Sequence, residues 1–145
     1  MNRWTMGVLI LATILFGFYL YKQTRVKSGW EQIRVGETMV KVMVRDTMEG
    51  RRQGLSGFEK LEDNEGMLFV FPLSAKHSFW MKEMKFNLDF VWIKDDKVVE
   101  ITEGVLASGG KKTMVKPSVL VNKVLEVNSG FIKKNKIKVG DEVDL

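Results

Sequence analysis

The 145-residue chain has no cysteine, one histidine and two prolines. Without cysteine there is no disulfide framework, thiolate metal site, cysteine nucleophile or lipidated cysteine anchor. The lone histidine, His77, excludes any multi-histidine metal centre. Neither a Gly-x-Ser-x-Gly elbow nor a phosphate-cradling glycine loop occurs, so two common routes to hydrolase and nucleotide chemistry are missing. No segment repeats another, and nothing in the pattern calls for a metal or another cofactor. Residues 4–21 lack charge altogether.

That uncharged run is the first thing the chain does contain. Its length is just enough for a membrane span, which takes about 17–25 residues. Trp4, Tyr19 and Tyr21 sit at its ends, where amphipathic rings favour the bilayer interface. The next residues, Lys22-Gln23-Thr24-Arg25, are bulky and charged, unlike the small-x-small site of a cleaved signal peptide. Residues 4–21 are therefore expected to be one uncleaved transmembrane helix with the lipid bilayer as partner. Residues 1–29 form the anchor and linker, and residues 30–145 a single globular domain. Lys22, Arg25 and Lys27 outnumber Arg3 and the terminal amine, which by the positive-inside rule would keep the domain in the cytoplasm.

The chain is 45% hydrophobic and 28% charged, values that suit a folded domain and exclude disorder. A net charge of +5 reads first as a solvated face and next as attraction to an anionic membrane surface. Nucleic acid is not an expected partner of an anchored chain.

The domain is organised around residues 66–93, three aromatic and β-branched runs split by short polar connectors. Trp30–Val35 and Thr38–Val44 flank Gly36-Glu37 as a hairpin. Asp46 and Glu49 have capping-box spacing and predict a short helix limited by Gly50, Gly54 and Gly57. Gly66 opens a strand that Pro72 should stop. A second strand covers His77–Lys82, and a third Leu88–Ile93, joined through the turn Lys94-Asp95-Asp96-Lys97 to Val98–Thr102. Residues 103–118 read as a long loop. Val119–Val127 is another strand, Asn128-Ser129 should cap a short helix, and residues 137–145 close the chain with a turn or bulge at Gly140-Asp141. The pattern predicts a mainly β fold: a compact antiparallel sandwich or barrel-like domain with two short helices, preceded by the transmembrane helix.

Two carboxylates stand inside apolar runs, Asp89 between Leu88 and Phe90 and Glu126 between Leu125 and Val127. A buried, unpartnered carboxylate costs several kcal/mol, so each should be paired, protonated or at a pocket rim. Lys82 and Arg52 are the evident cations. The favoured reading is a pocket for a small polar ligand or a peptide, with Trp80 as platform and Arg52, Lys82, Asp89 and Glu126 around it. A structural or interaction module, in which these groups only pair with one another, is the alternative. A carboxylate hydrolase using Asp89 and Glu126 comes third. His77, Trp80, Met81 and Met84 offer soft donors of the kind that suits Cu(I). Strand alternation, however, turns His77 and Met81 away from Trp80 and Met84.

The motifs Arg52-x-Gly54-Leu55, Gly66-Met67-Leu68-Phe69-Val70-Phe71, Phe79-Trp80-Met81-Lys82, Leu88-Asp89, Val124-Leu125-Glu126-Val127 with Gly130, and Gly140-Asp141 occur in that order. From about Val35 onward the chain resembles the domain of unknown function 192 family. The resemblance implies a compact mainly β sandwich with short helices, commonly behind a signal or anchor sequence, and no established activity. On the family's habit the domain is expected outside the membrane, against the local charge count. Glu83-Met84 stands where the family usually has Asn-Thr, and Ser56 where a methionine commonly follows Gly-Leu.

N-terminal sequencing of the mature protein should return the intact chain. A mature protein starting near Lys27 would show that residues 4–21 are removed rather than retained.

Overall fold

A computed structural model describes residues 29–107 and 113–145. The expected span over residues 4–21, most of the linker and residues 108–112 of the expected loop lie outside the described residues. Among the described residues no helix is long and apolar enough to cross a membrane.

The strands are β1 (Trp30–Val35), β2 (Thr38–Arg45), β3 (Glu65–Ala75), β4 (Phe79–Trp80), β5 (Leu88–Lys94), β6 (Lys97–Val105), β7 (Met114–Val115), β8 (Val121–Asn128) and β9 (Val143–Asp144). Among the described residues the helices are α1 (Met48–Gln53) and α2 (Phe131–Asn135), both short. A seven-stranded sheet runs in the order β6-β5-β8-β3-β2-β1-β9, with β4 and β7 as a separate two-stranded ribbon. The sheet is not wholly antiparallel, because β2 and β3 run parallel. Their connection carries α1, and a crossover of that length is what parallel neighbours need.

This is one curled sheet and not two stacked ones. Its two edges meet where Val98 N–H donates to Asp141 O at 2.9 Å, Gly140 N–H to Val98 O at 2.8 Å and Val143 N–H to Asp96 O at 2.8 Å. Those bonds draw the sheet into a half-barrel. A hydrophobic cluster fills the inside with residues from all seven strands, among them Val35, Val42, Leu68, Val91, Val98, Leu125 and Val143. Phe131, Ile132 and Ile137 join it, so α2 and the segment after it plug the interior. On the outer face the central strands present Met67, Phe69, Phe90, Trp92 and Val124. Leu55, Leu61, Met81 and Val115 cover that layer.

Alternation along β5 sorts as the sequence predicts: Leu88, Phe90 and Trp92 face outward, and Val91 and Ile93 inward. Asp95 and Asp96, with φ of 47° and 65°, make the two-residue turn between β5 and β6. Other boundaries differ. Pro72 does not end β3, because the β3–β8 register shifts between Val70 and Ala75, where a residue without an N–H breaks no ladder bond. The expected strand at His77–Lys82 shrinks to β4 and leaves the main sheet, pairing with Met114–Val115 from the expected loop. Thr47, not Asp46, caps α1 by accepting from Gly50 N–H at 3.0 Å.

Asp89 is fully buried and faces the interior, opposite Val127. Its partners are neither Lys82 nor Arg52. Oδ1 accepts from Gly104 N–H at 2.8 Å, and Oδ2 from Gly130 N–H at 2.9 Å and Ile132 N–H at 3.2 Å. The carboxylate therefore caps α2 from the neighbouring strand β5, where Asn128 and Ser129 were expected to do so and where Gly130 supplies no side chain.

Hydrogen bonds to a charged acceptor contribute about 1.5–3 kcal/mol each. Asp89→Asn removes the charge and turns an amide N–H₂ toward a backbone donor, so unfolding should lose about 3 kcal/mol or more. Amide exchange should quicken at Gly104, Gly130 and Ile132, and unchanged stability would contradict the capping role. Gly66 is constrained differently: a Cβ there would lie 2.8 Å from the Glu126 carbonyl oxygen, a backbone atom with little freedom to retreat. Gly66→Ala should cost about 1–3 kcal/mol by forcing β3 away from β8, readable as a lower denaturation midpoint.

Candidate functional site

The outer face carries a cavity of about 270 Å³. Phe69 on β3, Leu88 on β5 and Glu126 on β8 give its floor from the central strands, and the walls come from two covering segments.

The first wall is α1 and the turn after it. Gly54, with φ of 52°, ends the helix and donates its N–H to Gly50 O, so the chain turns back into Leu55 and Ser56 beside the cavity. Arg51 is already engaged. Its Nη1 donates to Val70 O at 2.9 Å and to Asp46 O, and its guanidinium lies 5.1 Å from the centre of the Phe71 ring. Arg52 is exposed, and among the described residues its side chain has no hydrogen bond or ion pair. Its five N–H donors are therefore available at the rim.

The second wall runs from His77 to Met84. The His77 ring stacks on Phe71 at 3.5 Å and 11°, and its Nε2 donates to Leu73 O at 3.1 Å. Phe79 wedges inward, edge-on to Phe69 at 4.9 Å and to Phe90 and Trp92 at 5.8 Å each. That contact pins the ribbon to the sheet and leaves the neighbouring Trp80 46% exposed at the cavity. Glu83 then adopts φ of 61°, in the left-handed region that asparagine tolerates better than glutamate. Ser56 and Met84 both lie in the cavity wall.

Glu126 is the most unusual group in the site. Its cross-strand neighbours are Phe90 on one side and Met67 on the other, both fully buried. The residue is 6% exposed, reaches the cavity, and makes no hydrogen bond or ion pair with any described residue. Burial alone pushes its carboxyl up to about 8, so at neutral pH it is mainly a neutral acid.

Of the five residues expected to form the site, Arg52, Trp80 and Glu126 line one cavity. Lys82 lies beyond the lining, 5.5 Å from the centre of the Trp80 ring and 3.3 Å from the Glu83 carboxylate. Asp89 is on the other face of the sheet. Asp89 and Glu126 therefore cannot flank one substrate bond, which removes the arrangement a two-carboxylate hydrolase needs. His77, Trp80, Met81 and Met84, which alternation would divide, all line the cavity, because their segment is regular strand only at Phe79–Trp80. Two arginines share that lining, and their charge opposes a bound cation. Among the described residues no three His, Asp or Glu side chains group as metal ligands. Arg51, Ser56 and Ser78 also reach the cavity, and only the folding of the two covering segments reveals them.

No curated protein matches the chain. Two crystal structures share its fold. One is a Sinorhizobium meliloti protein described as a "putative transcription regulator", 23% identical, with a TM-score of 0.74 over 81% of this chain and 96% of that one. The other is a Novosphingobium aromaticivorans protein of unknown function, 24% identical, with a TM-score of 0.74 over 83% of this chain and 89% of that one. Identities this low establish the fold alone. A family model described as "Uncharacterized ACR" matches residues 31–145, and the chain belongs to this family, the domain of unknown function 192.

Proposed function

We propose that the domain is a binding module that holds a small ligand, or the end of a peptide, in the outer-face cavity. In this reading residues 4–21 tether it to a bilayer and the domain lies outside the cytoplasm. Glu126 is the acid at the floor, Arg52 the cation at the rim and Trp80 the stacking platform. One observation carries the reading: Glu126 is a buried carboxyl with no partner among the described residues, and it opens into a cavity. An apolar residue between Phe90 and Met67 would be more stable, since a carboxyl largely removed from water there carries a desolvation cost. A bound ligand that completes its hydrogen bonding accounts for that cost. Phe71, Phe79 and Trp80 supply the apolar enclosure such sites use.

The titration of Glu126 gives a test with a definite sign. Between the ordinary value of 4.5 and about 8 the folded state keeps a proton that the unfolded state has released. Stability therefore declines as pH rises through that window, at up to about 1.4 kcal/mol per pH unit. Urea unfolding of the full chain in detergent should show this decline, and Glu126→Gln should flatten it. Glu126→Leu should raise the midpoint at pH 8 and remove any small molecule that native mass spectrometry finds on the wild-type protein. A midpoint unchanged by Glu126→Leu at pH 8 would count against the reading.

A further inference from the structure

We infer that the cavity recognises a singly charged carboxylate carried on an aromatic or similarly apolar body. This deepens the binding reading above and rests on it.

Charge comes first. Arg51 and Arg52 line the cavity, and among the described residues Glu126 is the only acidic side chain that does so. An amine or a metal cation would enter against two guanidinium groups, whereas an anion would enter with them. The number of charges follows from which donors are free. Arg51 is held to two backbone carbonyls, Val70 and Asp46, through its Nη1, so among the described residues of the lining Arg52 is the cation whose whole fork is unengaged. One free guanidinium matches one carboxylate, since its planar fork meets both oxygens at once. A phosphate monoester carries nearly twice the charge and three oxygens to satisfy, more than one planar fork meets.

The floor supplies a complementary donor. A neutral Glu126 has one O–H to donate, and a carboxylate accepts it. Nothing else among the described residues takes that proton. Ser56 and Ser78 add hydroxyl donors in the same lining.

Size and walls define the rest. A volume of about 270 Å³ corresponds to roughly nine waters at about 30 Å³ each. That fits a single ring with a short acid arm. Phe69, Phe71, Phe79 and Trp80 would enclose the ring, with Met81 and Met84 as adaptable filling. The same group can come from two sources, a free aromatic acid or the final residue of a chain ending in phenylalanine.

Calorimetry on the full chain in detergent separates these cases. The probes are phenylacetate, 2-phenylethanol, 2-phenylethylamine, and the peptide Gly-Gly-Gly-Gly-Phe with a free or an amidated end. Phenylacetate should bind at least tenfold tighter than the alcohol and the amine, and Arg52→Gln should remove most of that preference. Glu126→Leu should weaken phenylacetate at least tenfold while the protein stays folded. A free-ended peptide that outbinds phenylacetate, with the amidated one inert, would support the carboxylate and identify a chain end as its source. Equal binding of acid, alcohol and amidated peptide would overturn the carboxylate. Preferential binding of alcohol or amine, lost in Glu126→Leu, would overturn it too but leave the binding reading standing. If no probe binds, the carboxylate falls, and if Glu126→Leu also leaves stability unchanged the binding reading falls with it.

Discussion

A half-barrel drawn together along one side needs something to secure its open end, and here that is the Asp89 carboxylate. Two oxygens collect three backbone N–H groups, one from β6 and two from the start of α2. Distant parts of the chain are thus fixed to one point on the central strand β5. Helix α2 is too short to hold itself together, since helices of this length are marginal without tertiary contacts. The carboxylate orders its first turn while Phe131 and Ile132 seal the interior beneath it. A fully buried acid is tolerable because backbone donors replace the water it leaves.

The second buried acid has the opposite fate for a geometric reason. Asp89 and Glu126 sit on adjacent paired strands, but Glu126 is opposite Phe90 and not opposite Asp89. Side chains alternate between faces, so that one-residue offset sends Asp89 inward and Glu126 outward. Inside, backbone amides converge on the acid. Outside, Glu126 meets Phe90, Met67 and an opening, and burial without a bonded donor keeps its proton on. Two similar positions in the sequence become a structural clamp and a candidate binding group.

The cover over the outer face is what makes an opening there. Helix α1 and the β4–β7 ribbon lie on the sheet without filling the space between them. The ribbon is two residues long on each strand and holds mainly through Phe79, which touches three other aromatic rings of the outer layer and Phe71. Such a cover gives a pre-formed floor of rigid strand residues and walls on shorter segments. Binding sites often combine a fixed scaffold with loops in this way.

Much of the scaffold was legible in the sequence. The β1–β2 hairpin, the inward and outward faces of β5, the diaspartyl turn and both short helices follow from hydrophobic period and turn chemistry, which are local. The burial of Asp89 and Glu126 could also be read, because each sits in an apolar run. Tertiary structure alone decided their partners: the amides of Gly104 and Gly130 lie 15 and 41 residues from Asp89 in the chain. It also decided that β2 and β3 run parallel, that Pro72 sits in a register shift, and that His77–Met84 leaves the sheet as a wall. In that segment period-2 reasoning fails, because alternation holds only where a ladder fixes the backbone. The sequence by itself determined which side chains could not face water. Which of them meet one another was decided by the curl of the sheet, because contacts between residues far apart in the chain have no local signature.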